Sequence, residues 1–351
     1  MLQKILFITV LALLPFQFCK RIPNLPEPMP GKRNYVWEVD TLDTPMNQIS
    51  SVWGSAPNNV WAVGEGGTYK DRLQHYDGTK WTAYSKELIN IGGSTLYGFD
   101  ADNIWMGGQA GWGFHGAGIW HYNGAKWSRN YNYNIEGSYS IRVNDIWGNR
   151  LYDIYACGIV VFHDSVKEDE LRGFVLHYDG KQWREIARAQ VNSQFHVVRK
   201  ERKNVYLLST VVKNSSFVGF EIYKLKDAKL EKIFSVQRTQ IHAVNMCTIL
   251  GKVYFVMDHD ILRYVDGKFT KYLTIDHETF ASVIHGRNEF DIFLRMRDGI
   301  AHYNGEDIEY LYHFPRGSIN LYNAFLFEKE VFFYGLSNDF KDIMLHGKLK
   351  E

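Results

Sequence analysis

Ser51-Val52-Trp53-Gly54, Val60-Trp61-Ala62-Val63-Gly64 and His75-Tyr76-Asp77-Gly78-Thr79-Lys80-Trp81 are three phrases that this chain repeats. They return as Leu96-Tyr97-Gly98, Ile104-Trp105-Met106-Gly107-Gly108 and His121-Tyr122-Asn123-Gly124-Ala125-Lys126-Trp127. A third copy reads Ile146-Trp147-Gly148, Ile154-Tyr155-Ala156-Cys157-Gly158 and His177-Tyr178-Asp179-Gly180-Lys181-Gln182-Trp183. A period of about 40–50 residues with several short strands per unit predicts a β-propeller. The second phrase is almost continuously apolar, as a strand covered on both faces should be.

Each unit divides into four strands. Strand a carries the Trp-Gly phrase and strand b the Val-Trp-Ala-Val-Gly phrase. Strand c ends in His-Tyr-Asp-Gly, and strand d starts at the following Trp. Asx-Gly between two such runs is a strong hairpin signal; it predicts a type I′ turn, with positive φ at both central residues. The signal occurs at Asp77-Gly78, Asn123-Gly124, Asp179-Gly180, Asp266-Gly267 and Asn304-Gly305.

Four later copies of strand b start at Val205, Val253, Ile292 and Val331. With the first three they predict an all-β, seven-bladed propeller of four-stranded antiparallel blades. The last unit ends too soon for a strand d. The alternating stretch Tyr35-Val36-Trp37-Glu38-Val39-Asp40-Thr41-Leu42 is expected to supply it. This N-terminal strand would pair with strand c of the last blade and close the ring, removing open edges.

A chain of 351 residues suffices for one such domain, placed at 34–351. Its 40 Lys and Arg against 39 Asp and Glu give no bulk attraction to nucleic acid or anionic lipid. Aromatic residues fall mostly at repeat positions, where packing between blades accounts for them. The repeated His75, His121, His177 and His302 sit in different blades and cannot converge on one metal, so structural hydrogen bonding is the better reading. No metal and no cofactor is expected. Cys157 and Cys247 read as small buried residues in non-adjacent repeats.

The N-terminus reads as a targeting segment at 1–19. Lys4 precedes an apolar run over 5–14 that is too short to span a bilayer comfortably. It resembles a bacterial lipoprotein signal ending at Cys19, the lipidated residue, and departs from that pattern in having Phe18 before the cysteine. Residues 20–33 hold four prolines and read as an extended linker, long enough to reach roughly 40 Å. The resemblance implies an exported, lipid-anchored protein of the bacterial cell envelope.

Departures from the repeat are the best functional candidates, because packing does not require them. The b–c loops of the first three units are long. They hold Tyr69, Lys70 and Asp71 in the first, Trp112, Phe114 and His115 in the second, and Asp164 in the third. Trp112 and Phe114 are set among glycines, which suits exposed aromatics that stack on a sugar or anchor a peptide. A plug over the channel mouth is the bland alternative. The d–a loop after the second unit, with Tyr131, Tyr133 and Tyr139, is expected on the same face. The acidic run Glu168-Asp169-Glu170 lacks the alternating oxygen ligands of a calcium loop.

The first three units resemble the Trp-Gly/Val-Trp-Ala-Val-Gly repeats of bacterial exported β-propellers, broadly akin to kelch and Asp-box propellers. The resemblance spans 50–185 and implies export and fold, with no specific activity. The chain carries no Gly-x-Ser-x-Gly, His-Glu-x-x-His or phosphate-binding glycine loop. The reading therefore favours an envelope-tethered monomer that binds a protein or glycan on its b–c face. The alternatives are a glycoside hydrolase or lyase with a channel-mouth site, and a subunit of an envelope assembly. Carboxylates, or Arg with His, clustered at one channel mouth would favour the enzyme.

Overall fold

A computed structural model of the chain describes residues 29–42, 49–64, 72–84, 91–110, 116–163 and 169–350. They form strands β1 (Tyr35–Thr41), β2 (Ile49–Ala56), β3 (Asn59–Gly64), β4 (Leu73–Tyr76), β5 (Trp81–Ala83), β6 (Ile91–Asp100), β7 (Asn103–Ala110), β8 (Ala117–Tyr122) and β9 (Trp127–Tyr133). There follow β10 (Ser140–Arg150), β11 (Asp153–Phe162), β12 (Glu170–Tyr178), β13 (Trp183–Arg188), β14 (Ser193–Glu201), β15 (Asn204–Lys213), β16 (Ser216–Lys226) and β17 (Lys229–Gln237). The rest are β18 (Val244–Ile249), β19 (Lys252–Met257), β20 (Asp260–Val265), β21 (Lys268–Thr274), β22 (Phe280–Asn288), β23 (Asp291–Met296), β24 (Gly299–Tyr303), β25 (Ile308–His313), β26 (Ile319–Leu326), β27 (Glu330–Ser337) and β28 (Asp342–Leu349).

The fold is an all-β propeller with four-stranded antiparallel blades. The expectation of seven blades is corrected: the structure shows five four-stranded blades, not seven. Five sheets are four-stranded (β2–β5, β6–β9, β18–β21, β22–β25 and β26–β28 with β1), whereas β10–β17 form a single eight-stranded sheet. The fusion has a local cause. The β13–β14 link is short, and Asn192 turns it with φ 75°, donating to Leu171 O at 2.7 Å. That holds the start of β14 beside β12 in a parallel bridge at Arg172 and Ser193. β1 runs antiparallel to β28 from Tyr35–Leu349 to Thr41–Ile343, so residues from both ends of the described chain share one sheet.

Strands b and c carry the core. In β3, β7, β11, β23 and β27 the run after the first residue is buried. The glycine after each strand a aromatic has a steric reason. A Cβ on Gly98 would lie 2.6 Å from Trp53 Cζ2, and one on Gly54 would lie 2.7 Å from Phe327 Cζ. The phrase Trp-Gly thus encodes contact between neighbouring sheets. Polar stitches add to it: Leu96 N–H donates to Ser51 Oγ at 3.0 Å and Tyr334 Oη to Ser50 O at 2.9 Å, while Asn144 Nδ2 donates to Phe195 O at 2.8 Å within the eight-stranded sheet.

Three of the four repeated histidines, and His346 in the closing sheet, hydrogen-bond to the residue that opens strand b, whereas His121 packs on the Trp105 ring at 4.3 Å. His75 meets Asn59 at 2.7 Å, His177 meets Asp153 at 3.0 Å, His302 meets Asp291 at 2.8 Å and His346 meets Glu330 at 2.6 Å. The Asx-Gly turns differ from the expected type. Only Asp266-Gly267 has positive φ at both positions, 50° and 80°. At the other four only the glycine does, and the Asx side chain caps the turn instead. Asp77 Oδ1, for example, accepts from Thr79 N at 2.9 Å and Lys80 N at 3.0 Å.

The described part of the expected linker, 29–33, is docked on the β22–β25 blade. Gly31 N–H donates to Phe290 O at 2.8 Å. Arg33 donates to His302 O at 2.9 Å, Asp307 O at 2.7 Å and His302 Nδ1 at 3.2 Å. His302 is fully buried, and Asp291 beside it is chelated by Arg287, which also reaches Tyr35 Oη at 2.7 Å and Phe327 O at 2.8 Å. This network bolts the closing sheet to its neighbour. It lies on the a–b and c–d side, where residues 29–33 are docked.

Candidate functional site

The opposite, upper face is made of the d–a and b–c connections. A cleft of about 1120 Å³ on it lies over the β14–β17 half of the double sheet. Three connections wall it: 190–193 entering β14, 213–217 between β15 and β16, and 237–242 leaving β17. The same Asn192 turn that fuses the double sheet therefore shapes one wall.

A buried polar cluster forms the floor. Glu221 on β16 is 7% exposed. Its Oε2 accepts from Tyr223 Oη at 2.5 Å and Ser193 Oγ at 3.1 Å, and its Oε1 from Lys232 Nζ at 2.8 Å. Burial opposes ionisation of Glu221, but the hydrogen bonds from Lys232, Tyr223 and Ser193 outweigh it and hold the carboxyl below its usual range. Burial and the Glu221 carboxylate push the Tyr223 phenol up to about 12. The charge is satisfied, so the cluster presents a fixed pattern of donors and acceptors and no free base. On the rim, the Arg238 guanidinium lies 5.2 Å over the Phe217 ring.

The central channel is a separate cavity of about 500 Å³, lined by the innermost strands β2, β6, β10, β14, β18, β22 and β26. Asp145 is the one carboxylate in its wall among the described residues. It accepts from Val198 N–H at 2.9 Å and from Arg199 Nη1. Burial lifts its carboxyl above the usual range against the pull of Arg199. Of the two channel histidines, His196 is tied to Thr210 Oγ1 at 2.7 Å. His285 is held down to about 3 by burial and the nearby Arg295 charge, so it is neutral. Arg and His therefore do meet in the channel, but the second carboxylate that glycoside hydrolysis uses is not in its described wall.

The sequence candidates fare differently. Tyr69, Lys70, Asp71, Trp112, Phe114, His115, Asp164 and Cys19 lie outside the described residues. Tyr131 and Tyr133 are on strand β9, not on a loop. Tyr133 is 5% exposed, packs 4.6 Å from the Phe174 ring and donates to Glu185 Oε2 at 2.6 Å. Burial and Glu185 push its phenol well up, and the ring is part of the core. Tyr131 is half-buried against the same core. Tyr139 is 74% exposed, beside His163. Cys157 and Cys247 are free thiols. Sequence reading missed Phe340, 82% exposed in the β27–β28 connection, because that unit has lost its repeat phrases. It also missed the Glu221 cluster, whose members come from three strands and match no motif.

No protein-family model matches the chain, and no curated protein matches it. Among solved structures, BBS1N, in the crystal structure of its complex with ARL6DN, is similar with a TM-score of 0.52 at 10% identity, over 92% of this chain and 98% of that chain. The N-terminal domain of Nup159 overlays with a TM-score of 0.46 at 10% identity, over 92% and 98% of the two chains. At this identity the first likeness shows the propeller fold alone, and the second carries no argument.

Proposed function

We propose that this chain is a non-enzymatic scaffold that holds a protein partner on its upper face, with the Glu221 cleft at the centre of recognition. The cleft carries the reading: it is large, open and floored by a fixed polar cluster. Exposed Tyr139, Val191 and Phe340 stand on connections of the same face, where a rigid framework commonly displays contact residues. The solved complex of BBS1N with ARL6DN supports the reading by analogy of fold only. The sequence candidates Trp112 and Phe114 belong to the same proposal as partner contacts. Export and tethering through Cys19 are part of the same proposal, supported by Lys4 and the apolar run after it. The docked Arg33 segment would then turn the upper face away from the membrane.

Photo-crosslinking residues placed at Gln240, Val191 and Phe340 test this in cells of the source. The proposal expects one protein captured from all three sites and none from Leu151 or Leu250 on the opposite face. Capture from the opposite face alone would overturn it. A glycan recovered in place of a protein would keep the face and change the partner class.

A further inference from the structure

On the same face, a second cavity of about 500 Å³ is lined by the β22–β25 blade, the start of the closing sheet and Ala243 before β18. Its wall holds Arg295 from the end of β23, Arg297 from the turn after it, and Arg316 from the link between β25 and β26. No Asp or Glu lines it among the described residues. The Arg295 and Arg297 charges repel each other, and Arg316 adds a third cation to the same lining.

Arg295 is built into the wall. Its Nη1 donates to Leu321 O at 3.0 Å and Tyr322 O at 2.8 Å, and its Nη2 to Ala281 O at 3.0 Å. Its Nε is buried and has no hydrogen-bond partner among the described residues. Backbone carbonyls fix the guanidinium in place, but no carboxylate neutralises it. Burial and the nearby Arg297 charge pull its pKa down to about 10, still far above neutrality, so the cation persists. Arg297 and Arg316 are exposed at the rim, and no described side chain forms an ion pair with either. Ser282, 8% exposed, completes the wall with φ 56°. A serine in the left-handed region of a strand is strained, and such strain gathers at ligand clamps.

We propose that this pocket binds an oxyanion, a carboxylate or phosphate group held between Arg297 and Arg316 above the fixed charge of Arg295. Planar guanidinium forks match both groups, and a pocket of about 500 Å³ has room for the anionic group and for the part of a larger molecule that carries it. The anion arrives either free or on an acidic segment of a partner. The site does not depend on the Glu221 cleft or on any partner for that cleft.

Titration calorimetry on the full-length chain tests it with two probes, inorganic phosphate and a hexaglutamate peptide. At least one should bind, more weakly as salt rises. The double variant Arg297→Gln/Arg316→Gln should weaken that binding about tenfold or more. Both substituted residues are exposed, and Arg297→Lys/Arg316→Lys, which keeps the charge but loses the forks, should fall between it and wild type. Phosphate binding supports the site with a free ion, and binding of the peptide alone supports it with an acidic segment. No binding of either probe, or equal binding by wild type and both variants, would overturn the proposal.

Discussion

Gly98→Ala adds one methyl group where the fold leaves no room for it. The new Cβ would stand 2.6 Å from Trp53 Cζ2, 2.7 Å from Cη2 and 2.8 Å from Cε2. Carbon atoms pack at about 3.5–4.0 Å, so the indole must retreat by about 1 Å. It cannot do so freely: Trp53 is 7% exposed and its ring lies 6.1 Å from that of Phe325. Overpacking of this kind costs about 1–3 kcal/mol. Loss of glycine's freedom in the unfolded chain returns about 0.5–1 kcal/mol. The net expectation is a loss of about 1–2 kcal/mol, read as a lower urea midpoint with an unchanged slope. Gly92→Ala on the same strand is the control, because a Cβ there meets nothing within 4 Å. It should be neutral or slightly stabilising. Equal stability of Gly98→Ala and wild type, or equal damage from both substitutions, would refute the steric reading of the Trp-Gly phrase.

Arg33→Ala should lower stability by about 2–3 kcal/mol in urea unfolding, mainly by stripping partners from two carbonyls and the buried His302 ring. The contacts of Arg33 with Asp307 and Glu309, 69% and 60% exposed, add little. Stability should also fall in acid. Burial raises the Asp291 carboxyl, but hydrogen bonds from His302 and Arg287 win and leave it below its usual value. A depressed carboxylate stabilises the fold fully above its unfolded value of about 4, and this is lost as pH falls through the folded value. Urea midpoints between about pH 2 and 6 should therefore drop on the acid side, and Asp291→Asn should flatten that limb. Tyr133→Phe should cost about 1 kcal/mol through the lost Glu185 bond while leaving partner capture intact.

The repeat phrases made the propeller and its blade pattern readable, because the same packing problem recurs and selects the same residues. Trp53 over Gly98 and His177 on Asp153 are two such solutions. The division into sheets was not readable to the same degree. The bridge between Arg172 and Ser193 depends on the left-handed turn at Asn192, a single residue outside every repeat phrase. Four of the five Asx-Gly turns were misread for a related reason: the Asx side chain caps the turn, which spares it a positive φ. Tyr133 looked like a loop aromatic, yet strand alternation points it inward beside Phe174. The Glu221 cluster escaped notice because Ser193, Glu221, Tyr223 and Lys232 meet only once β14, β16 and β17 are folded together.

The most direct test of the central claim is crosslinked capture from the upper face, with the cleft wall altered. Gln240 carries the photo-crosslinker, and Lys213→Glu with Arg238→Glu reverses two charges lining the cleft without touching the Glu221 cluster. The account predicts one partner captured by the parent chain and lost from the charge-reversed chain, with folding unchanged. Undiminished capture of the same partner by the charge-reversed chain would contradict it.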